Sequence, residues 1–134
     1  MRRRLLTWVG AAALAVSAVL AARPAVAKTE PDDFVVKTAD DLFDVCSTEA
    51  GDPLYTAAVN FCQGYVVGAY HVYEALEAKP GHHPLVCPPE PKPTRNQTIA
   101  AFVAWGKGHP EYLNERPVEV LFKFLIERWP CPKK

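Results

Sequence analysis

The chain has 134 residues, with 15 Lys+Arg balancing 15 Asp+Glu. Four of the cations, Arg2, Arg3, Arg4 and Arg23, precede residue 28, so residues 28–134 carry 11 positive and 15 negative charges, a net of −4. That excludes the basic footprint of a nucleic-acid binder, and the length allows one ordinary domain.

Residues 1–27 read as a signal peptide: a basic start, an apolar run from Leu5 to Ala22, and Ala25-Val26-Ala27 as a small-x-small cleavage site. The run is Ala-rich, broken by Ser17 and followed directly by the cleavage pattern, which favours export over a membrane anchor. Arg2 to Arg4 lack the flanking residues of a twin-arginine signal, so general secretion is expected. The reading is a periplasmic or secreted protein without stable membrane insertion after cleavage. Residues 28–37, rich in Pro and acids, are expected to form a partly ordered lead-in to a helical domain over 38–134.

Thr38 is a candidate N-cap, and Asp40 and Asp41 in the first turn complement the helix dipole. That helix is short, since Gly51-Asp52-Pro53 follows it. From Leu54 to Ala78, Tyr55, Ala58, Cys62, Tyr65, Ala69, Val72 and Leu76 recur at helical spacing. Gly64 and Gly68, one turn apart within it, each cost about 1 kcal/mol relative to Ala, which predicts a closely packed neighbouring backbone and a Gly64→Leu variant destabilised by overpacking.

Six prolines between Pro80 and Pro93 forbid regular helix and predict an extended loop. Thr94 and Gln97 have the form of a capping box for a third helix, ended by Gly106 and Gly108. After a turn at His109 to Asn114, a last helix over Val118 to Trp129 shows a stripe of Val118, Leu121, Phe122, Leu125 and Trp129. Val120 and Phe124 are assigned to a second, separate apolar strip. The fold class is all-α, a small disulfide-stapled domain of four to five helices.

Cys46, Cys62, Cys87 and Cys131 all follow the leader, and an even count in an exported chain reads as two disulfides. Their wide spacing disfavours zinc, although His82-His83 lies near Cys87. Helix placement favours Cys46 with Cys62, stapling a helical hairpin, and Cys87 with Cys131, tying the proline loop to the C-terminus.

No nucleophile elbow or phosphate loop is present, and Ser47 is the only serine after the leader. His71 and Glu74, one turn apart, read as a solvated helix face. The chain is therefore read as a binding protein, not an enzyme, with no metal and no cofactor. Trp105, Lys107, His109, Glu111 and Tyr112, around a turn that combines exposure with rigidity, are the expected partner-binding residues, and the proline loop is the other recognition surface.

Phe61-Cys62-Gln63-Gly64-Tyr65-Val66-Val67-Gly68, then Cys87-Pro88, His109-Pro110-Glu111-Tyr112-Leu113 and Trp129-Pro130-Cys131, resemble the Rap/Tai family of periplasmic immunity proteins. The resemblance covers Leu42 to Cys131 and implies an all-helical disulfide-bonded domain that protects against cell-wall amidases delivered by type VI secretion. It implies inhibition by protein binding, with a loop plugging the amidase cleft, and a possible homodimer. Gly64, Tyr65, Gly68, Trp129 and Pro130 match its structural positions. The alternative function is a periplasmic stress or chaperone-like helical protein, for which the Val120 and Phe124 strip would supply exposed apolar surface.

Overall fold

A computed structural model describes residues 29–132. The expected signal peptide lies outside these described residues. Four α-helices follow a 3-10 turn at Pro31–Val35: α1 (Ala39–Ser47), α2 (Tyr55–Glu77), α3 (Arg95–Gly106) and α4 (Pro117–Arg128), with a second 3-10 turn at Pro110–Tyr112. Among the described residues there is no strand, only an isolated antiparallel bridge between Val86 and Pro130. None of the described helices is long and apolar enough to cross a membrane.

The shortest helix is the hub. α1 packs against the other three, and Ala39, Leu42 and Val45 are at most 1 % exposed. Thr38 caps α1 through its hydroxyl and Asp41 returns the bond to the Thr38 amide, so the capping box is complete. Two further amides of its first turn, Ala39 and Asp40, donate to the carbonyls of Glu115 and Leu113 at 2.9 Å each. These bonds satisfy the helix start and fix the turn ahead of α4 to the centre of the fold. Thr94 and Gln97 form the equivalent box on α3.

The other end of α1 is closed by the lead-in. Thr29 is buried, and its hydroxyl donates to the Asp44 carbonyl at 3.2 Å, while Thr48 reaches the same carbonyl at 3.1 Å. Phe34 meets Phe61 of α2 edge-on, with ring centroids 5.5 Å apart. Residues 29–37 are thus packed onto the helical body, not a loose approach to it, because one hydroxyl and one ring find partners there.

The two disulfides are Cys46–Cys62, joining α1 to α2, and Cys87–Cys131, joining the proline segment to the C-terminus. The Cys87 amide donates to the Trp129 carbonyl at 2.8 Å, so Val86-Cys87 and Trp129-Pro130 run side by side. The Tyr73 hydroxyl holds the same segment from α2, accepting from the Leu85 and Val86 amides at 2.8 and 3.0 Å. Burial, and then the neighbouring Glu77, pushes the Tyr73 phenol above its ordinary pKa.

Three expectations need correction. In α4 the buried residues are Pro117, Val120, Leu121, Phe124 and Leu125, while Val118 is 41 % exposed. Val120 and Phe124 are core, and the separate strip does not exist. In α2 the core contacts come from Ala58, Cys62 and Val66, whereas Val72 and Leu76 face solvent at 62 % and 46 % exposure. At 1.5 Å per residue the 23-residue α2 is about 34 Å long against roughly 18 Å for the 12-residue α3 and α4, so its last turns meet neighbours on the Tyr73 and Glu77 side only and leave Val72 and Leu76 to solvent.

The glycines are the third correction. A Cβ added at Gly64 or Gly68 would meet nothing within 4 Å, and both residues are exposed. The glycine of close approach is Gly106, against which the Phe43 ring lies.

Candidate functional site

Trp105, His109 and Tyr112 form a stacked aromatic ladder across the end of α3 and the following 3-10 turn. Trp105 and His109 are 4.1 Å apart between centroids, His109 and Tyr112 5.7 Å, with interplanar angles of 20° and 8°. Trp105 and Tyr112 are themselves only 5.6 Å apart, with an interplanar angle of 12°, so the three near-parallel rings close into a compact triangle although the α3 helix ends at Gly106.

Each rung is fixed by a polar contact as well. His109 Nδ1 lies 2.8 Å from the Trp105 carbonyl oxygen, and Trp105 Nε1 donates to Glu127 Oε2 of α4 at 3.1 Å. Lys123 of α4 places its ammonium 4.2 Å from the centre of the Tyr112 ring and pairs with Glu115. The Glu115 carboxylate, by holding the ammonium form, raises the Lys123 pKa. Behind the ladder, Trp105 packs on the buried Phe124 at 5.8 Å.

This arrangement divides the five expected contact residues into two kinds. Trp105, His109 and Tyr112 are half-buried and locked by stacking, whereas Lys107 and Glu111 are exposed. The turn is therefore a rigid aromatic support carrying Lys107 and Glu111, neither of which has an ion-pair partner among the described residues. Rigid aromatic groups lose little entropy when they are contacted, and charges at their flank discriminate between partners.

The other singled-out residues are dispersed. Tyr65 stacks on Phe61 at 6.4 Å, and burial raises its phenol pKa. Trp129 packs edge-on against Phe124 at 6.0 Å, and Pro130 bridges Val86. His82 and His83 are exposed beyond α2, and no group of three or more potential metal ligands occurs among the described residues. His71 and Glu74 are both exposed on α2.

The proline segment, the other expected recognition surface, lines a concave site through Pro88, Lys92 and Pro93, with walls from the helices that the sequence does not indicate. The site is a groove of about 200 Å³ between α2, the proline segment and the starts and ends of α3 and α4, with Val66, Tyr70, Leu125 and Trp129 among its walls and His71, Lys92 and Arg95 at its rim. The available signal was the pair of cations, Lys92 and Arg95, bracketing the Thr94 cap without a neighbouring acid nearer than Glu90.

Comparison with curated proteins and with solved structures gives no match. A family model described as Rap1a immunity proteins matches residues 38–131, which spans α1 to α4 and takes in all four cysteines and the aromatic ladder. The chain belongs to the Rap1a immunity protein family.

Proposed function

We propose that the protein is exported to the periplasm, with residues 1–27 as its removable leader and residues 38–134 as the folded body, and that it blocks a peptidoglycan amidase delivered by type VI secretion. The family membership supports the immunity role. Two disulfides with no free cysteine among the described residues suit an oxidising compartment.

The observation that carries the contact assignment is the Trp105, His109 and Tyr112 ladder, braced from α4 and presenting Lys107 and Glu111 outward. In this reading the turn enters the amidase cleft as a preformed wedge, and its rigidity lowers the entropic cost of binding. The chaperone-like alternative drew on Val120 and Phe124 as exposed apolar surface, and both side chains lie in the core.

The test is to express the amidase encoded nearest to this gene in a periplasm with and without the chain, and to capture it with tagged chain from periplasmic extract. Protection from lysis together with capture of the amidase is the expected result. A chain that neither protects nor retains any cell-wall hydrolase does not have this function.

A further inference from the structure

The groove beside the proline segment combines apolar walls with a cationic rim. Val66 and Leu125 of the core lie at its base, and the partly buried Tyr70, Pro88, Pro93 and Trp129 supply the apolar surface that its walls expose. Its rim carries Lys92, Arg95 and His71, and none of the side chains lining it is acidic. Residues 28–134 are otherwise acidic in balance, with a net charge of −4. Burial, and then the charges of Glu74 and Glu77, raise the Tyr70 phenol pKa, and both carboxylates stand further along α2 and outside the lining.

The cations are also unspent. The ion pairs among the described residues are Arg116 with Glu119 and Lys123 with Glu115, so neither Lys92 nor Arg95 is paired with a carboxylate of these residues. Apolar walls under two cations without an ion-pair partner among the described residues are complementary to an apolar side chain flanked by carboxylates. The side chain would displace water from the walls, and an Arg95 fork and a Lys92 ammonium would each meet a carboxylate at the mouth.

We propose that this groove is a second contact, separate from the aromatic ladder, which receives an acidic segment of the bound effector carrying one apolar side chain between its carboxylates. The identity of the occupant as the effector rests on the immunity reading above; the chemistry of the groove does not. A second copy of this chain is the less favourable occupant, since two bodies of like net charge repel on approach.

The experiment follows amide and indole resonances of the isotope-labelled protein during titration with two blocked peptides, acetyl-Asp-Phe-Asp-amide and acetyl-Lys-Phe-Lys-amide. The acidic peptide should give saturable shifts at Val66, Tyr70, Arg95 and the Trp129 indole, and the basic peptide none. In a K92E/R95E variant the acidic peptide should bind about tenfold more weakly or not at all, with the thermal midpoint retained, and capture of the effector should weaken by a similar factor.

Equal shifts with both peptides, or shifts confined to other surfaces, would overturn the groove assignment. So would a wild-type dimer, seen by light scattering, that K92E/R95E dissociates, because a second copy would then fill the groove. Effector capture that is unchanged in K92E/R95E overturns the second contact while the immunity reading stands. Failure of the wild-type chain to capture any effector overturns the immunity reading, and the occupant with it, whatever the peptides do.

Discussion

The Phe43 ring lies flat against the backbone of Gly106, so close that a Cβ built there would stand 2.7 Å from Cδ1 and overlap the next two ring atoms. Phe43 is held in that position from its other side, stacked on the fully buried Phe102 at 4.6 Å. The ring cannot retreat, so Gly106→Ala should destabilise the fold by about 1–3 kcal/mol through overpacking. Gly64→Ala should do the reverse and stabilise by roughly 0.5–1 kcal/mol, since it adds helix propensity in open space. Urea unfolding of both variants checks the pair, and equal signs would refute the packing account.

That contrast also marks what was legible beforehand. Devices that act within one turn were readable: the Thr38–Asp41 and Thr94–Gln97 capping boxes, the helix breaks at Pro53 and Pro80, and the cysteines placed at a helix end and on a core-facing stripe. Which face of a helix is buried was not, where two faces are apolar. In α4 the predicted stripe and the observed one share Leu121 and Leu125 but differ by roughly a quarter turn, at 100° per residue. The choice is made by Phe102 of α3, whose ring lies 5.5 Å from Phe124 and so draws that residue inward. The three residues of the aromatic ladder were all named in advance, but the half-buried support and its bracing by Glu127 and Lys123 depend on α4, more than ten residues distant. The helical walls of the groove were invisible because they come from three separate elements.

The two disulfides should differ in their consequences. Cys46–Cys62 closes 16 residues and Cys87–Cys131 closes 44, so chain-entropy arguments give about 3 kcal/mol and about 4 kcal/mol respectively. The second loss is also local, because the proline segment has few other ties than Tyr73, Glu77 and the Trp129 carbonyl. A C87S/C131S variant should therefore show fast hydrogen exchange at Leu85 to Cys87 before global unfolding, whereas C46S/C62S should lose stability without that early opening. Matching exchange patterns in the two variants would show that the segment does not depend on its bridge.

Lys107, Glu111 and Tyr112 should separate binding from stability. Glu111→Ala and Lys107→Ala touch exposed side chains and should leave the free energy of unfolding within about 0.5 kcal/mol of wild type while weakening effector capture. Tyr112→Ala removes a stacked rung and the ring beneath the Lys123 ammonium, so it should lower stability by about 1–2 kcal/mol as well as affinity. Thermal melts beside capture assays distinguish the cases. Unchanged capture in all three variants would move the contact away from this turn.

Asp44 sets a pH dependence opposite to that of a paired carboxylate. Its pKa is raised from 3.8 to about 6, first by partial burial and then by the negative charges of Asp40, Asp33 and Asp41. It also sits near the C-terminal end of α1, where the helix dipole disfavours an anion. The folded carboxyl keeps its proton where the unfolded chain has lost it, so this group favours folding most below about pH 4, and stability falls as the pH rises through about 6. Thr29 and Thr48 bond to the Asp44 backbone carbonyl, so Asp44→Asn keeps those contacts and removes only the charge. At pH 7 the variant should exceed wild type by about 1 kcal/mol, a value reduced for the solvent screening of a partly exposed group, and the two should converge at pH 4. Urea midpoints at the two pH values measure the difference, and an advantage that persists undiminished at pH 4 would assign the gain to packing instead of ionisation.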